Sequence, residues 1–529
     1  MVKANPMKYG LFLRSTHFYI HFGERICNYF SDLMVFIYIS EKESVSGGVP
    51  MNREIVGRTE EFKLLDEYCN SPKAEMVAIY GRRRVGKTYL VKSFFDGNFD
   101  FYFTGSYETS KAVQLDLFRK ELEKKCGKAL PKFRDWFSAF DALREYLESL
   151  TQERIVVFLD ELPWMDTAKS NLIPAFSYFW NTWGSTQPGL KLFVCGSATT
   201  WMLEKLIGDK GGLYGRVSRA IYLAPFTLNE TENFLNDIKG MGYGRQQVLE
   251  TYMILGGIPY YLDMLDKKIP LSQNIDKLFF KPFAPLKTEF DFLFRTLFKN
   301  SKLYQDVVRV LSSKLKGLSR QEIAEATHQG EGGTLTEVLE NLCRCDFVRR
   351  YSPFGKKSLG TLYQLTDMFS LFHLRFVQGD GQDERFWTNT YNSGERKAWS
   401  GYAFEQVCLI HLQKIKASLS ILGILSNAHS WQCKTFTDSD GTEWQGGQID
   451  LLIDRADSAI NLCEMKFSND EFVITKEYEE ILRHRMSLFK KVTKTRKSLS
   501  YVFVTTCGVK QNSYSGIVQH QVTLDGLFA

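Results

Sequence analysis

The chain has 529 residues, of which 44% are apolar and 24% charged, and its net charge is +6. That length exceeds what a single hydrophobic core serves, the composition excludes a disordered or fibrous chain, and so modest a charge does not by itself argue for nucleic acid. Ten cysteines show no paired metal spacing, and Cys343 and Cys345 stand too close together for a zinc knuckle. Reduced thiols in a cytoplasmic setting are expected.

In residues 1–51 the most apolar run, 33–39, is far shorter than the ~20 residues of a bilayer span. Arg14, His17, His21, Glu24 and Arg25 interrupt any signal-peptide core. Met51 directly precedes the first stretch that reads as ordered. Residues 1–51 are therefore expected to be an extension upstream of the native start or a loosely packed arm, with no membrane association.

Residues 76–80 are nearly all apolar and read as a buried parallel strand. Gly81-Arg-Arg-Arg-Val-Gly86-Lys87-Thr88 follows, a full G-x-x-x-x-G-K-[ST] phosphate loop, and residues 89–95 read as a helix. Glycines at both ends let the backbone turn its N–H groups onto phosphate oxygens, at a helix N-terminus that favours anions. The expected ATP contacts are Gly81, Arg82, Arg83, Arg84, Val85, Gly86, Lys87, Thr88 and Tyr89. Lys87 would reach the β- and γ-phosphates and Thr88 would ligate Mg²⁺.

A second apolar strand, 154–159, ends in Asp160 and Glu161. Asp160 would hold Mg²⁺ through water and Glu161 would polarise the attacking water, which favours a hydrolase over a kinase. A third strand, 190–197, ends at Ser197, positioned to sense the γ-phosphate, although serine is also common in turns. Arg216 and Arg219 precede a further strand at 220–223, and Arg216 is the first choice for an arginine that stabilises transition-state charge. The alternative is a solvated basic loop.

These motifs, with Gly57-Arg58-Thr-Glu60-Glu61 before the loop and Gly256-Gly-Ile-Pro259 after it, resemble the archaeal-type ATPases, an AAA+/STAND-like branch of the P-loop ATPases. The resemblance implies a P-loop αβα core over 52–225 and a helical lid over 226–298. It also implies that Val56, Gly57 and Arg58 lie near the adenine, with Gly257 and Pro259 closing over the base.

Residues 299–378 read as a winged helix. Ser319 and Glu322 form a capping box, a second helix follows at 332–342, and strands at 347–351 and 362–365 flank a Gly/Lys hairpin. Glu337 and Glu340 make the second helix a poor reader of bases, so packing on the core is its alternative use. Lys356 and Lys357 are the wing's candidate phosphate contacts.

In residues 379–529 a helix carries Glu405, a strand carries Asp450, and the next strand carries Glu464 and Lys466. A hairpin brings Asp450 near Glu464 and leaves Lys466 on the face of Glu464. Such a set suits a Mg²⁺-dependent phosphodiesterase: Asp450 and Glu464 as metal ligands, Glu405 as an added one, and Lys466 positioning water. It resembles the restriction-endonuclease-like fold and its D…ExK signature, with an inactive interaction module as the alternative. The expectation is an α/β protein with four parts: P-loop core, helical lid, winged helix and C-terminal α/β nuclease-like domain. It would use ATP and Mg²⁺ with DNA or another nucleic acid as candidate partner, and a homo-oligomer as candidate assembly. A slow STAND-like assembly switch and a non-enzymatic nucleotide-binding scaffold are the competing readings.

Overall fold

Strands β1 (Glu75–Tyr80), β2 (Phe101–Thr104), β3 (Ile155–Asp160), β4 (Leu190–Gly196) and β5 (Arg219–Tyr222) form one parallel sheet in the order β2-β3-β4-β1-β5. These positions come from a computed structural model that describes residues 55–208, 211–330, 332–356, 360–377 and 382–529. The expectations for residues 1–51 and for Lys357 lie outside the described residues. The sheet is apolar because both its faces are covered. Along β1, Val77 and Ile79 join one apolar cluster while Met76 and Ala78 join another. The helices Thr59–Cys69 and Lys87–Phe94 cover the first face through Phe62, Leu65, Leu90 and Val91. The helices Lys111–Cys126, Trp136–Glu148 and Leu172–Thr182 cover the second through Phe118, Trp136, Phe140 and Phe176. Because the strands are parallel, the loops after β1, β3 and β4 meet at one edge, where open α/β sheets bind ligands.

Helices follow from Leu228 to Leu297, among them Arg245–Leu255, Pro259–Asp263 and Glu289–Leu297. After the helix Ser301–Ser313, β6 (Leu318–Ser319), β7 (Val348–Tyr351) and β8 (Leu362–Leu365) form an antiparallel sheet ordered β6-β8-β7. It carries the helices Arg320–Ala326, with its Ser319–Glu322 capping box, and Gly333–Arg344. The second helix is turned to the ATPase core. Asn341 accepts from Thr200 Oγ1 at 2.9 Å and donates to the Tyr304 hydroxyl at 2.8 Å, and Arg344 pairs with Glu204 at 2.8 Å. The hairpin between β7 and β8 docks elsewhere. The Phe354 N–H donates to the Ser430 carbonyl at 2.7 Å, and its ring lies 5.3 Å from that of Phe489.

The remaining strands are β9 (Ser426–Cys433), β10 (Phe436–Thr437), β11 (Glu443–Trp444), β12 (Gly447–Arg455), β13 (Ala459–Lys466), β14 (Ser498–Thr505) and β15 (Val518–Val522). β10 and β11 pair with each other, and the others make a mixed sheet ordered β15-β14-β13-β12-β9. Helix Gly394–Ile410 packs Phe404 and Val407 into the cluster of Leu451, Cys463 and Met465 on one face. Helix Lys476–Thr493 packs Leu482 and Phe489 against Leu452 and Leu462 on the other. Among the described residues no helix is long and apolar enough to cross a membrane.

Candidate nucleotide site

The phosphate loop joins β1 to the helix Lys87–Phe94, and its glycines are required. Gly81 has φ 143° and Gly86 φ 92°, a region that L side chains seldom enter, and a Cβ on Gly81 would run into the Leu223 carbonyl oxygen. Lys87 is buried, and its Nζ donates to the carbonyls of Gly81 at 2.9 Å and Arg82 at 2.8 Å. To serve a phosphate it exchanges those acceptors for phosphate oxygens, a short movement at the loop mouth. The Thr88 hydroxyl donates to both Asp160 carboxylate oxygens, at 3.1 and 3.0 Å. These hard oxygens, at the N-terminus of a helix beside the loop, fit Mg²⁺.

Glu161 directly follows β3 with φ 47° and ψ 47°. Its Oε2 accepts from the Ser197 N–H at 3.0 Å and the Ser197 hydroxyl at 2.9 Å. Burial pushes the Glu161 carboxyl above the usual carboxylate range, against the pull of Lys87. The strand ends thus gather Lys87, Thr88, Asp160, Glu161 and Ser197, with Ser197 gripping Glu161.

Two of the loop's three arginines turn their side chains away from its mouth. Arg82 is buried against the Phe347 ring, 4.6 Å from its centroid, and pairs with Asp367. Arg84 pairs with Glu289 at 2.5 Å and lies 4.3 Å from the Tyr260 ring centroid. Arg83 sits between the rings of Trp164 and Phe292. Tyr89 is about half exposed.

Arg58 is buried, and its Nη2 donates to the carbonyls of Ala224 at 2.7 Å and Val85 at 3.4 Å. Its guanidinium braces backbone, so any adenine contact from this segment falls to Val56 and Gly57, which are partly exposed. Gly257 accepts at its carbonyl from the Phe226 N–H at 2.8 Å, and Pro259 opens the helix that presents Tyr260 and Tyr261 to Arg84. The segments at 56–58, 81–86 and 257–261 therefore meet. Arg216 does not join them. Ser218 N–H bonds to the Met76 carbonyl, and Arg219 pairs in register with Val77, which places Arg216 at the N-terminal end of the strands, opposite the phosphate loop. It is exposed there, as is Arg219. The expectation that Arg216 faces the γ-phosphate of its own site is corrected on that ground.

In the C-terminal sheet, Leu451 pairs with Cys463, so Asp450 stands opposite Glu464. The β12–β9 register slips between Ile449 and Leu452, a bulge at Asp450. Glu464 is buried. Its Oε1 accepts from Arg485 at 2.9 Å, its Oε2 from the Tyr478 hydroxyl at 2.8 Å, and Lys466 lies 3.4 Å from Oε2. Gln448 donates to Asp450 Oδ1 at 3.3 Å. Burial raises the Asp450 carboxyl, and Glu464 adds to the rise. Glu405 is pushed up to about 7, by burial first and by Asp450 second. Yet Glu405 comes from the helix on the opposite face, and among the described residues no three His, Cys, Asp or Glu side chains gather to hold a metal ion. Glu405 is thus an electrostatic neighbour and does not complete a three-ligand set. Sequence reasoning missed Tyr478 and Arg485, whose spacing of seven puts them two turns apart on one helix face. It also missed Gln448, Asp367 and Glu289.

This arrangement defines a P-loop ATPase. Residues 55–265 match the family described as the ATPase domain predominantly from Archaea. An uncharacterized protein of Methanocaldococcus jannaschii is 25% identical over 378 residues, 68% of this chain and 78% of that one. A second protein of that organism, described as an uncharacterized ATP-binding protein, is 49% identical over 41 residues, 8% of this chain and 70% of its own length. Among solved structures, a Walker-type ATPase of Pyrococcus abyssi aligns with TM-score 0.45 and 19% identity, over 63% of this chain and 99% of that one.

Proposed function

We propose that this site hydrolyses ATP, and that hydrolysis is coupled to a C-terminal domain directed at nucleic acid. The observation that carries the first part is the convergence of Lys87, Thr88, Asp160 and the Ser197-held Glu161 at the ends of β1, β3 and β4. A water oxygen bonds to the γ-phosphorus while the bond to the β,γ-bridging oxygen breaks. ADP keeps that electron pair, and the water's proton passes toward Glu161. A carboxylate whose pKa burial has raised is the stronger base for this step. Thr88, with Asp160 behind it, would hold Mg²⁺, which when bound neutralises phosphate charge. Arg216 would act only on the site of a second copy, which makes a homo-oligomer part of this reading. Steady-state ATP turnover, present in the wild type and lost in Lys87→Ala, is the test; equal turnover in both would overturn it.

A slower, switch-like use of ATP is favoured by one observation: Arg82 and Arg84 tie the phosphate loop to Asp367 and Glu289, outside the sheet. Nucleotide-dependent mass with little turnover would select it. Residues 299–378 are read as a winged helix whose second helix and hairpin are both spent on internal docking. Residues 379–529 are read as a restriction-endonuclease-like domain. Around Asp450 and Glu464, the cations Lys466, Arg485 and Lys316 supply phosphate-binding charge. Strand cleavage lost in Lys466→Ala would make it a nuclease, and binding without cleavage an interaction domain.

A further inference from the structure

Three consecutive arginines fill the phosphate loop, and two of them are neutralised by carboxylates: Arg82 by Asp367 and Arg84 by Glu289. Arg83 has no carboxylate at ion-pair distance among the described residues; Glu289, whose charge it feels, is already paired with Arg84. Instead its guanidinium carbon lies 5.7 Å from the Trp164 ring centroid and 5.4 Å from that of Phe292, and its Nη1 is buried without a hydrogen-bond partner. A buried cationic donor with no acceptor is costly to keep. Such a group is retained where an anion arrives.

The location names the anion. The Trp164 backbone N–H donates to the Glu161 carbonyl at 2.9 Å, so the residue whose ring lies under Arg83 belongs to the turn that carries Glu161. That is the end of the loop where water is activated, hence the γ-phosphate end. The aromatic faces hold the guanidinium through cation–π contact without consuming its N–H donors. A planar guanidinium with its Nη1 donor unpartnered matches a terminal phosphate, which ATP has there and ADP lacks.

We propose that Arg83 is a γ-phosphate ligand supplied within the same chain, the group by which this site distinguishes ATP from ADP. It would give in cis the charge stabilisation that Arg216, at the far end of the sheet, cannot give its own site. The proposal rests on the nucleotide site described above.

The test compares ATP and ADP binding by titration calorimetry with Mg²⁺, and ATP turnover, in the full wild-type chain, Arg83→Ala and Arg83→Lys. Thermal melting of each variant verifies folding, and Arg83→Met, which keeps the packing between the rings, replaces Arg83→Ala if that variant is unfolded. Arg83→Ala should weaken ATP about tenfold or more and leave ADP within about threefold, the loss expected for a hydrogen bond to charge. Turnover at saturating ATP should fall on the order of a thousandfold. Arg83→Lys should recover part of both. Equal weakening of ATP and ADP, or no change in either, overturns the proposal while leaving the nucleotide site intact. A wild-type chain that binds neither nucleotide overturns both.

Discussion

Asp367 is the residue whose loss should loosen the phosphate loop from a distance of 285 residues in sequence. Its carboxylate and the Arg82 guanidinium are each 2% exposed and paired with one another. The same carboxylate accepts the Ser370 N–H at 2.9 Å as the N-cap of the helix Met368–Phe376. Two variants separate these roles. Asp367→Asn keeps a cap acceptor but leaves the Arg82 charge buried and uncompensated, at a cost of about 3–5 kcal/mol. Asp367→Ala also loses the cap, which adds about 1 kcal/mol. Either figure is a large part of the roughly 5–15 kcal/mol that holds a domain together. Urea unfolding measures the loss, and hydrogen exchange over residues 81–95 shows whether the loop loosens first. The paired replacement Arg82→Met with Asp367→Leu should recover most of the loss, because no charge is then stranded. If Asp367→Asn costs less than about 1 kcal/mol and leaves exchange at the loop unchanged, the buried tie does not hold the loop and the argument fails.

Three further outcomes are expected. Lys87→Ala should remove the cation that serves the β- and γ-phosphates and lower ATP turnover by at least about a hundredfold, measured by phosphate release. Glu405→Gln should leave stability unchanged below about pH 4, and above pH 7 should raise it by at most about 3 kcal/mol in Mg²⁺-free buffer. The sign follows from a folded pKa of about 7 against an ordinary 4.5: the wild type loses stability as pH rises through that window and the variant does not. Urea midpoints across pH 4–9 measure it, and a flat difference would contradict the shift. Phe354→Ala should undock the β7–β8 hairpin from the C-terminal sheet at a cost of about 2 kcal/mol, since its ring is only partly buried. Faster hydrogen exchange at the residue 354 amide and along β9 would show the undocking.

The parts of this molecule legible in its sequence are those written in local chemistry. Residues 76–88 combine an apolar run with a spaced Gly-Lys-Thr signature, and the strand, loop and helix fall there. The capping box at Ser319 and the strands holding Asp450 and Glu464 are likewise local patterns. What the sequence hid depends on distant packing. Nothing near Arg82 announces Asp367, and nothing near Glu464 announces Arg485, because each partner arrives from another element. Arg216 misled because charge and proximity to a strand say nothing about which end of the sheet it occupies; only the Arg219–Val77 register does.

The most direct measurement of the central claim is single-turnover ATP hydrolysis by Glu161→Gln in the presence of Mg²⁺. Glutamine keeps the carbonyl oxygen that can accept from Ser197 but cannot take a proton from water. The variant should bind ATP as tightly as the wild type and return it intact from the complex. Bound nucleotide recovered as ADP at the wild-type rate would contradict the assignment of this site as a hydrolase driven by Glu161.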